Sequence, residues 1–343
     1  MNKLLEVTDL KKIFGGSVRA VDGVSFSLAE RETLALVGES GCGKSTVSRL
    51  ILRLTNPTQG TIRFEGKDIT RISQGALKSI RREIQFVFQD PFSSLDPRMT
   101  AGEIVTEPLS VHGLVRNGRE RRSTAERLLQ AVGLSSKHVD NWPRQFSGGQ
   151  RQRLGIIRAF ALGPRLIVAD EPVSALDVSV RSQVINILQD MQEDKGTAYL
   201  FISHDMATVR HMADRVAVMY LGKIVELAPK TSFFAGPQHP YAEALLSAVP
   251  ASHPSKRRRR ILLAGDPPSP ISIPSGCRFH TRCPIAQDVC KSSEPPLKPV
   301  ADNHLAACHF AQAWPIASRL KDVDAPTEGG RFDNVPGDLQ VCR

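Results

Sequence analysis

The segment from Gly38 to Ser45 constrains the fold of this chain more than any other. Its sequence, GESGCGKS, fits the phosphate-binding pattern G-x-x-x-x-G-K-[ST]. An apolar run at residues 33–37 predicts a buried strand before it, and apolar periodicity at residues 47–54 predicts a helix after it. Glycines let backbone N–H groups surround phosphate oxygens, and the helix N-terminus adds positive potential. The segment therefore predicts a nucleotide-binding loop. Its candidate ligand residues are Gly38, Ser40, Gly41, Gly43, Lys44, Ser45 and Thr46.

Two acidic residues follow a second apolar run, at residues 166–169. A strand that ends in acid places its carboxylates at the carboxyl edge of a parallel sheet, where ligands bind. In the predicted site Lys44 can bridge the β- and γ-phosphates, and the Ser45 hydroxyl can ligate magnesium. Asp170 then fits a residue that organises magnesium. Glu171 fits the group that polarises the attacking water.

Strand and helix patterns alternate along most of the chain. Short antiparallel strands are predicted within residues 1–30, and further strands at residues 61–64, 84–88 and 198–202. This alternation predicts an α/β fold with a parallel sheet and crossover helices. We expect a helical subdomain at about residues 95–160 within a nucleotide-binding domain of residues 1–250. A small irregular C-terminal module should follow at residues 251–317, because the chain is rich in proline between 250 and 300. Residues 318–343 are predicted to form a flexible tail.

Composition narrows the class of protein. With 41% apolar and 23% charged residues, the chain is typical of a folded globular protein. The sequence shows neither a membrane-spanning apolar stretch nor a signal peptide, so we expect a cytoplasmic protein. The net charge is +10, and its densest part is the basic run at residues 256–260. This run is interpreted as a solvated linker, with contact to lipid head groups or to a membrane partner as the alternative.

A second glycine-rich loop, FSGGQ at residues 146–150, also has the chemistry of a phosphate cradle. One nucleotide does not need two such loops from one chain, which favours a dimer in which this loop closes over the partner's nucleotide. With these motifs in their order, residues 3–250 resemble the ATP-binding subunits of ABC transporters. The family usually has LSGGQ where this chain has FSGGQ. The fold that the resemblance implies is a P-loop NTPase of the ABC type with an antiparallel β subdomain.

The resemblance implies roles for further residues. Gln89 occupies the Q-loop position, contacting magnesium and linking the site to the membrane subunits. His204 occupies the H-loop position, where it contacts the γ-phosphate, and Phe14 the place of the aromatic that stacks on adenine. Asp177 lies in the D-loop of the motif SALD. Two subunits would sandwich two ATP molecules, each held between one subunit's phosphate loop and the other's signature loop. The signature residues are Ser147, Gly148, Gly149 and Gln150.

Two further segments resemble the oligopeptide, dipeptide and nickel group of ABC importers. One is DPFSSLDPRMT at residues 90–100, and the other is the C-terminal extension through residue 308. The expected partners are a sister ATPase, two permease subunits and, through them, an extracytoplasmic solute-binding protein. The expected location is the cytoplasmic face of the membrane. Import of nickel, opines or another small solute is the alternative. A soluble ABC ATPase acting on nucleic acid or ribosomes fits poorly, because the chain has one set of motifs and lacks a long coiled-coil insertion.

Four cysteines form a tetrad in the extension: Cys277, Cys283, Cys290 and Cys308. In a cytoplasmic protein such a tetrad indicates metal more often than disulfides. The spacing fits neither paired C-x2-C zinc pattern, although four thiolates can hold zinc or an iron–sulfur cluster. The family resemblance implies a [4Fe-4S] cluster to which Cys42 and Cys342 do not contribute, with zinc or unliganded cysteines as the alternatives. His280, His304 and His309 are possible substitute ligands.

Overall fold

The computed structural model describes residues 3–90, 94–249 and 261–311. Its strands are β1 (Lys3–Phe14), β2 (Val18–Ala29), β3 (Thr33–Val37), β4 (Gln59–Phe64), β5 (Lys67–Asp68), β6 (Ile84–Val87), β7 (Leu166–Asp170), β8 (Ala198–Ile202), β9 (Arg215–Tyr220), β10 (Lys223–Pro229), β11 (Lys298–Ala301) and β12 (His304–Ala306). Its α-helices are α1 (Lys44–Ile51), α2 (Gln74–Glu83), α3 (Ala101–Val111), α4 (Gly118–Ala131), α5 (Gly148–Phe160), α6 (Val178–Lys195), α7 (Met206–Met212), α8 (Lys230–Ala235), α9 (Pro240–Ser247) and α10 (Asp288–Ser292).

Two sheets organise the chain. An antiparallel sheet has the order β2-β1-β4-β5, and a larger sheet has the order β11-β12-β10-β9-β3-β8-β7-β6. The strands from β9 to β6 run parallel, and β10, β12 and β11 continue the sheet antiparallel. The α/β fold with an antiparallel β subdomain is therefore confirmed.

Strands β3, β7 and β8 are buried along their whole length, because both faces of the parallel sheet are covered. Successive side chains of a strand point to opposite faces. On β7, Leu166 and Val168 pack with the antiparallel sheet and α1. Ile167 and Ala169 pack instead with the helical residues between 95 and 160. The central strands thus place their carboxyl ends between two packed layers.

Helix α1 begins and ends three residues earlier than the predicted helix at residues 47–54. Arg53 adopts a left-handed φ of 54° and the N–H of Leu54 returns to the carbonyl of Arg49, which closes the helix. The start at Lys44 puts the first helical N–H groups directly behind the phosphate loop, as an anion site requires.

The C-terminal module is less irregular than the sequence indicates. Strands β11 and β12 form a hairpin that extends the larger sheet beyond β10. Its turn has Asn303 at φ 54°, a conformation that asparagine tolerates, and Pro299 lies on the outer strand, where a missing N–H is acceptable. Proline therefore removes a backbone N–H only on the outer edge of the sheet, where the hairpin can still form.

Several predictions from the sequence fall on residues outside the described ranges. They are the basic run at residues 256–260, the tail at residues 318–343, Cys342 and positions 91–93 of the peptide-importer motif. The division of the chain into domains at residues 250 and 317 stays a prediction. Within the ranges described, no helix has the length and apolarity that crossing a membrane requires.

Candidate nucleotide-binding site

The loop between β3 and α1 has a backbone that glycine alone fits at two positions. Gly38 has φ 154°, and a Cβ there would lie 2.3 Å from the carbonyl oxygen of Met219. Gly43 has φ 110°, and its Cβ would lie 2.2 Å from the carbonyl oxygen of Ala20. Both conformations and both close approaches exclude side chains. The predicted phosphate loop is thus built against strands β2 and β9.

Lys44 is buried at the start of α1. Its Nζ donates hydrogen bonds to the carbonyl oxygens of Gly38, at 2.8 Å, and Glu39, at 2.9 Å. The ammonium group therefore lies at the mouth of the loop, within reach of phosphate oxygens placed there. Thr46 follows in the first helical turn, where its N–H bonds the carbonyl of Gly43 at 3.1 Å.

Asp170 ends β7 beside Ser45 and is 6% exposed. Burial raises the pKa of its carboxyl group, and the charge of Glu171 adds to this effect, while a hydrogen bond to Ser45 and the charge of Lys44 oppose it. Among the described residues its buried Oδ1 has no hydrogen-bond partner. An unpaired carboxylate oxygen next to a serine hydroxyl is the oxygen donor set that Mg²⁺ prefers. Ser45 and Asp170 therefore fit the predicted magnesium site.

Glu171 adopts a left-handed φ of 48° immediately after β7. Its Oε2 accepts a hydrogen bond from the Gln89 amide at 2.9 Å, and its Oε1 lies 3.1 Å from Nδ1 of His204. The side chain is 16% exposed, so the carboxylate keeps a path to solvent. The structure thus brings together the three predicted catalytic residues around one carboxylate.

A cavity of about 540 Å³ joins these parts. It is lined by Val18, Ala20, Ser40, Gly41, Gly43, Lys44, Ser45, Thr46, Gln89, Glu171, His204 and Pro270. Val18, Ala20 and Pro270 were not predicted. The first two follow from the approach of β2 to the loop. The carbonyl of Pro270 accepts the N–H of Arg19 at 3.1 Å, and its sequence gives no signal for this position.

Phe14 does not line this cavity in the structure. It pairs with Val18 across β1 and β2, is 42% exposed, and has the Lys12 ammonium 4.9 Å from its ring centroid. An exposed aromatic at the rim remains available for stacking on a base. Its proposed contact with adenine stays a prediction.

The signature residues lie at the start of α5 and do not line the cavity. Ser147 is exposed and accepts the N–H of Gln150 at 3.3 Å, while the Gln150 side chain accepts the N–H of Ser147 at 2.9 Å. A Cβ on Gly149 would lie 2.3 Å from Cγ1 of Val180, whereas one on Gly148 would meet open space. The loop is a capped helix N-terminus open to an external ligand.

Asp177 is likewise exposed and lies outside the cavity. It caps α6 by accepting the N–H of Val180 at 2.9 Å and the Ser179 hydroxyl at 2.8 Å, and these bonds lower its pKa. Its predicted place in the D-loop, among the nucleotide-binding residues, stays a prediction.

None of the five cysteines that the structure describes, the tetrad included, forms a disulfide. Burial, together with the charges of other tetrad thiols, raises the pKa of the Cys283 thiol to about 12 and that of Cys308 to about 11. The four thiols therefore lie in one region. However, across the described ranges no group of three or more His, Cys, Asp or Glu residues is arranged to hold a metal ion. The predicted [4Fe-4S] or zinc site is not formed in this arrangement.

Comparison with known protein families gives two matches. The ABC transporter family matches residues 21–174, and the C-terminal region of oligopeptide/dipeptide transporters matches residues 225–290. The chain is 52% identical over 320 residues to the oligopeptide transport ATP-binding protein AppF of Bacillus subtilis, covering 90% of this chain and 97% of that protein. It is 53% identical over 292 residues to the probable peptide ABC transporter ATP-binding protein y4tS of Sinorhizobium fredii, covering 85% and 82%.

Solved structures resemble the nucleotide-binding part. The ATP-binding cassette MJ0796, in a dimeric post-hydrolysis state with ADP and Pi, is 30% identical with a TM-score of 0.60, covering 66% of this chain and 98% of that chain. The protein cbiO1 of Clostridium perfringens, part of the ABC transporter complex cbiONQ, is 25% identical with a TM-score of 0.61, covering 68% of this chain and 92% of that chain.

Proposed function

This chain belongs to the ABC transporter ATP-binding proteins, in the oligopeptide/dipeptide group, and on that premise we propose that it hydrolyses ATP to power import of oligopeptides or dipeptides through a membrane permease. The observation that carries the proposal is the position of Glu171. Its carboxylate lies on the wall of the phosphate-loop cavity, between the Gln89 amide and the His204 imidazole.

The chemistry follows from this arrangement. The phosphate loop and Lys44 bind the phosphates, and Glu171 accepts a proton from the attacking water, oriented by Gln89 and His204. Ser45, Asp170 and Gln89 would hold Mg²⁺, which neutralises charge on the phosphates when bound. The left-handed backbone at Glu171 supports this role, because strained backbone of this kind concentrates at functional sites.

Partners belong to the same proposal. The exposed, capped N-terminus of α5 supports a sandwich dimer in which Ser147–Gln150 of one subunit contacts the nucleotide of a sister ATPase. Two permease subunits would bind the dimer at the cytoplasmic face of the membrane, and an extracytoplasmic binding protein would deliver the solute. Alone, the purified chain should hydrolyse ATP weakly, and its activity should rise when the sister subunit and permease are added.

The test replaces Glu171 with Gln, which keeps the side chain's shape and removes its ability to accept a proton. We expect the turnover of ATP to fall roughly 10²–10⁴-fold, while ATP binding persists. Glu193→Gln, on the exposed face of α6, is the matched control and should leave turnover unchanged. A Glu171→Gln variant with near-normal turnover would remove Glu171 from its assigned role.

Solute specificity needs the assembled transporter. In proteoliposomes that contain the permease and binding protein, the proposal expects ATP-dependent uptake of labelled di- or oligopeptides. Uptake of nickel ions or an opine in place of peptides would favour the alternative importer. ATPase activity stimulated by nucleic acid, without any transport, would favour the soluble class.

The iron–sulfur cluster remains a prediction that rests on the sequence tetrad and the family resemblance. The clustering of the four thiols supports it, although the structure does not arrange them as a metal site. Anaerobically purified protein should contain about four irons and four sulfides per chain if the cluster is present. Cys283→Ser should lose them and Cys342→Ser should keep them. Stoichiometric zinc, or protein free of metal, would refute the cluster.

A further inference from the structure

The phosphate loop contains one acidic side chain, Glu39, in its second position. Its backbone is held from both sides, because its N–H donates to the Tyr241 hydroxyl at 2.7 Å and its carbonyl accepts from Lys44 Nζ at 2.9 Å. Its carboxylate accepts two hydrogen bonds from Arg282, at 2.7 and 3.1 Å. A residue of the cysteine-containing module thus binds the nucleotide loop directly.

Arg282 is built into this position. It ends a three-residue turn, His280–Arg282, immediately before Cys283, and its side chain is 6% exposed. Around it, Tyr220, Tyr241 and Phe279 form an aromatic cluster with ring centroids 4.7–5.4 Å apart. Bidentate arginine–carboxylate pairs are strong and fix geometry.

The charge of Glu39 matters because the loop binds anionic phosphates. That charge raises the pKa of the Cys42 thiol inside the loop, although burial is the larger cause, so its field reaches the site. An unpaired carboxylate there would repel a nucleotide triphosphate. The pair with Arg282 neutralises the charge and holds the carboxylate beside Tyr220.

We propose that Arg282 is a positioning residue for ATP binding, which neutralises Glu39 and fixes the second position of the phosphate loop from the C-terminal module. The proposal rests on the ATP-binding function above. It makes the cysteine-containing module part of the nucleotide site, through a contact between residues 243 positions apart in the chain.

The experiment measures the dissociation constant of a fluorescent ATP analogue for the purified full-length chain. We expect Arg282→Gln to raise it about tenfold, equivalent to about 1.4 kcal/mol, with a smaller deficit at high salt because the repulsion is screened. Arg282→Lys should recover part of the loss. Arg282 already neutralises Glu39 in the wild type, so Glu39→Gln removes no net repulsion and should leave the affinity within about threefold of the wild type.

The double variant Arg282→Gln with Glu39→Gln decides the matter. If Arg282 acts through Glu39, the double variant should bind more tightly than Arg282→Gln alone. Arg278→Gln is the matched control, because Arg278 attaches the same module to Asp22 and to the Leu221 carbonyl and forms no ion pair with Glu39. It should leave ATP affinity unchanged.

Wild-type binding of the analogue tests the proposed function, and the differences between variants test Arg282. Equal affinity of Arg282→Gln and the wild type would overturn the inference. A double variant as weak as Arg282→Gln would also overturn it, and so would an equal loss in Arg278→Gln, since the module's attachment would then suffice. Thermal unfolding of each variant shows whether a loss of ATP affinity is caused by misfolding. Glu39→Gln provides a second check, because it removes the same ion pair and should keep its ATP affinity.

Discussion

Replacing Asp170 by Asn should stabilise the nucleotide-free protein while removing its response to Mg·ATP. In the structure this carboxylate is buried, its Oδ1 has no hydrogen-bond partner among the described residues, and burial raises its pKa. This buried charge destabilises the unliganded protein, and we infer that it is kept because it stabilises the protein with Mg·ATP bound. Asn keeps the shape of the side chain and removes the charge.

The magnitude follows from the unpaired oxygen. A buried acceptor without a partner costs about 1–3 kcal/mol, and Asn relieves only part of this cost because it removes the charge but keeps a polar atom at the unpaired position. Each kcal/mol corresponds to about 2–4 °C in the melting temperature of a domain of 150–250 residues, so we expect the Asp170→Asn variant to melt about 2 °C above the wild type without nucleotide. The hydrogen bond to Ser45 and the attraction of Lys44 reduce the gain but do not reverse it, because the pKa is raised overall.

Thermal unfolding with and without Mg·ATP is the assay. At a ligand concentration 100 times its dissociation constant, the wild type should gain about 2.7 kcal/mol, and the variant should gain much less. Asp205→Asn is a control with the opposite sign. Although burial raises its pKa, hydrogen bonds from Thr208 and Ala207 and the charge of Arg181 lower it overall, so this variant should melt below the wild type. A lower melting temperature for unliganded Asp170→Asn would refute the reasoning.

Three further changes give distinct results. Burial lowers the pKa of His239 to about 3, so between pH 6.5 and 3 the unfolded chain binds a proton that the folded chain excludes. In urea unfolding, the free energy of unfolding should therefore fall by about 1.4 kcal/mol for each pH unit of acidification. His239→Asn should lose this dependence on pH, and an unchanged dependence would contradict the assignment. Gly43→Ala should abolish ATP binding in a fluorescence titration, because its Cβ would lie 2.2 Å from the Ala20 carbonyl. Gly133 is also left-handed, but a Cβ there would have no contact nearer than 3.5 Å, so Gly133→Ala should only lower the melting temperature. Similar ATP affinities of the two variants would count against the steric argument. Glu226→Gln should lower the free energy of unfolding in urea by about 1–3 kcal/mol. The fully buried carboxylate of Glu226 accepts hydrogen bonds from two backbone N–H groups and contacts the imidazole of His304. An unchanged free energy of unfolding would show that the Gln amide satisfies the same partners.

Most of the nucleotide site could be predicted from the sequence because its determinants are local. The phosphate loop requires Gly38 and Gly43 at fixed spacing from Lys44, and the apolar strand before Asp170 and Glu171 shows its own burial. Hence the sheet edge, the loop and the position of the Glu171 carboxylate were all expected.

What the sequence did not predict depends on contacts between distant segments. The pair between Glu39 and Arg282 joins residues 243 apart, and nothing in the pattern around either residue indicates the other. Pro270 lies in a proline-rich stretch that suggests only irregular chain, yet it lines the cavity. The prediction that the module is irregular was partly wrong for a related reason. Strand β12 forms hydrogen bonds with β10, which lies far from it in the sequence, as well as with the adjacent strand β11.

During synthesis, the larger sheet stays incomplete until the hairpin of β11 and β12 has been made. Glu226 of β10 pairs with Ala306, about 80 residues later in the chain. At roughly 5–20 residues per second, the ribosome needs about 4–16 s to make that interval, and until then the outer N–H and C=O groups of β10 have no strand to bind. Such an edge readily pairs with another chain. A chain released before His304 would keep that edge for its lifetime, and light scattering should show it aggregating where a chain ending at residue 311 does not. The hairpin of β11 and β12 therefore covers an edge that would otherwise promote aggregation of the completed protein.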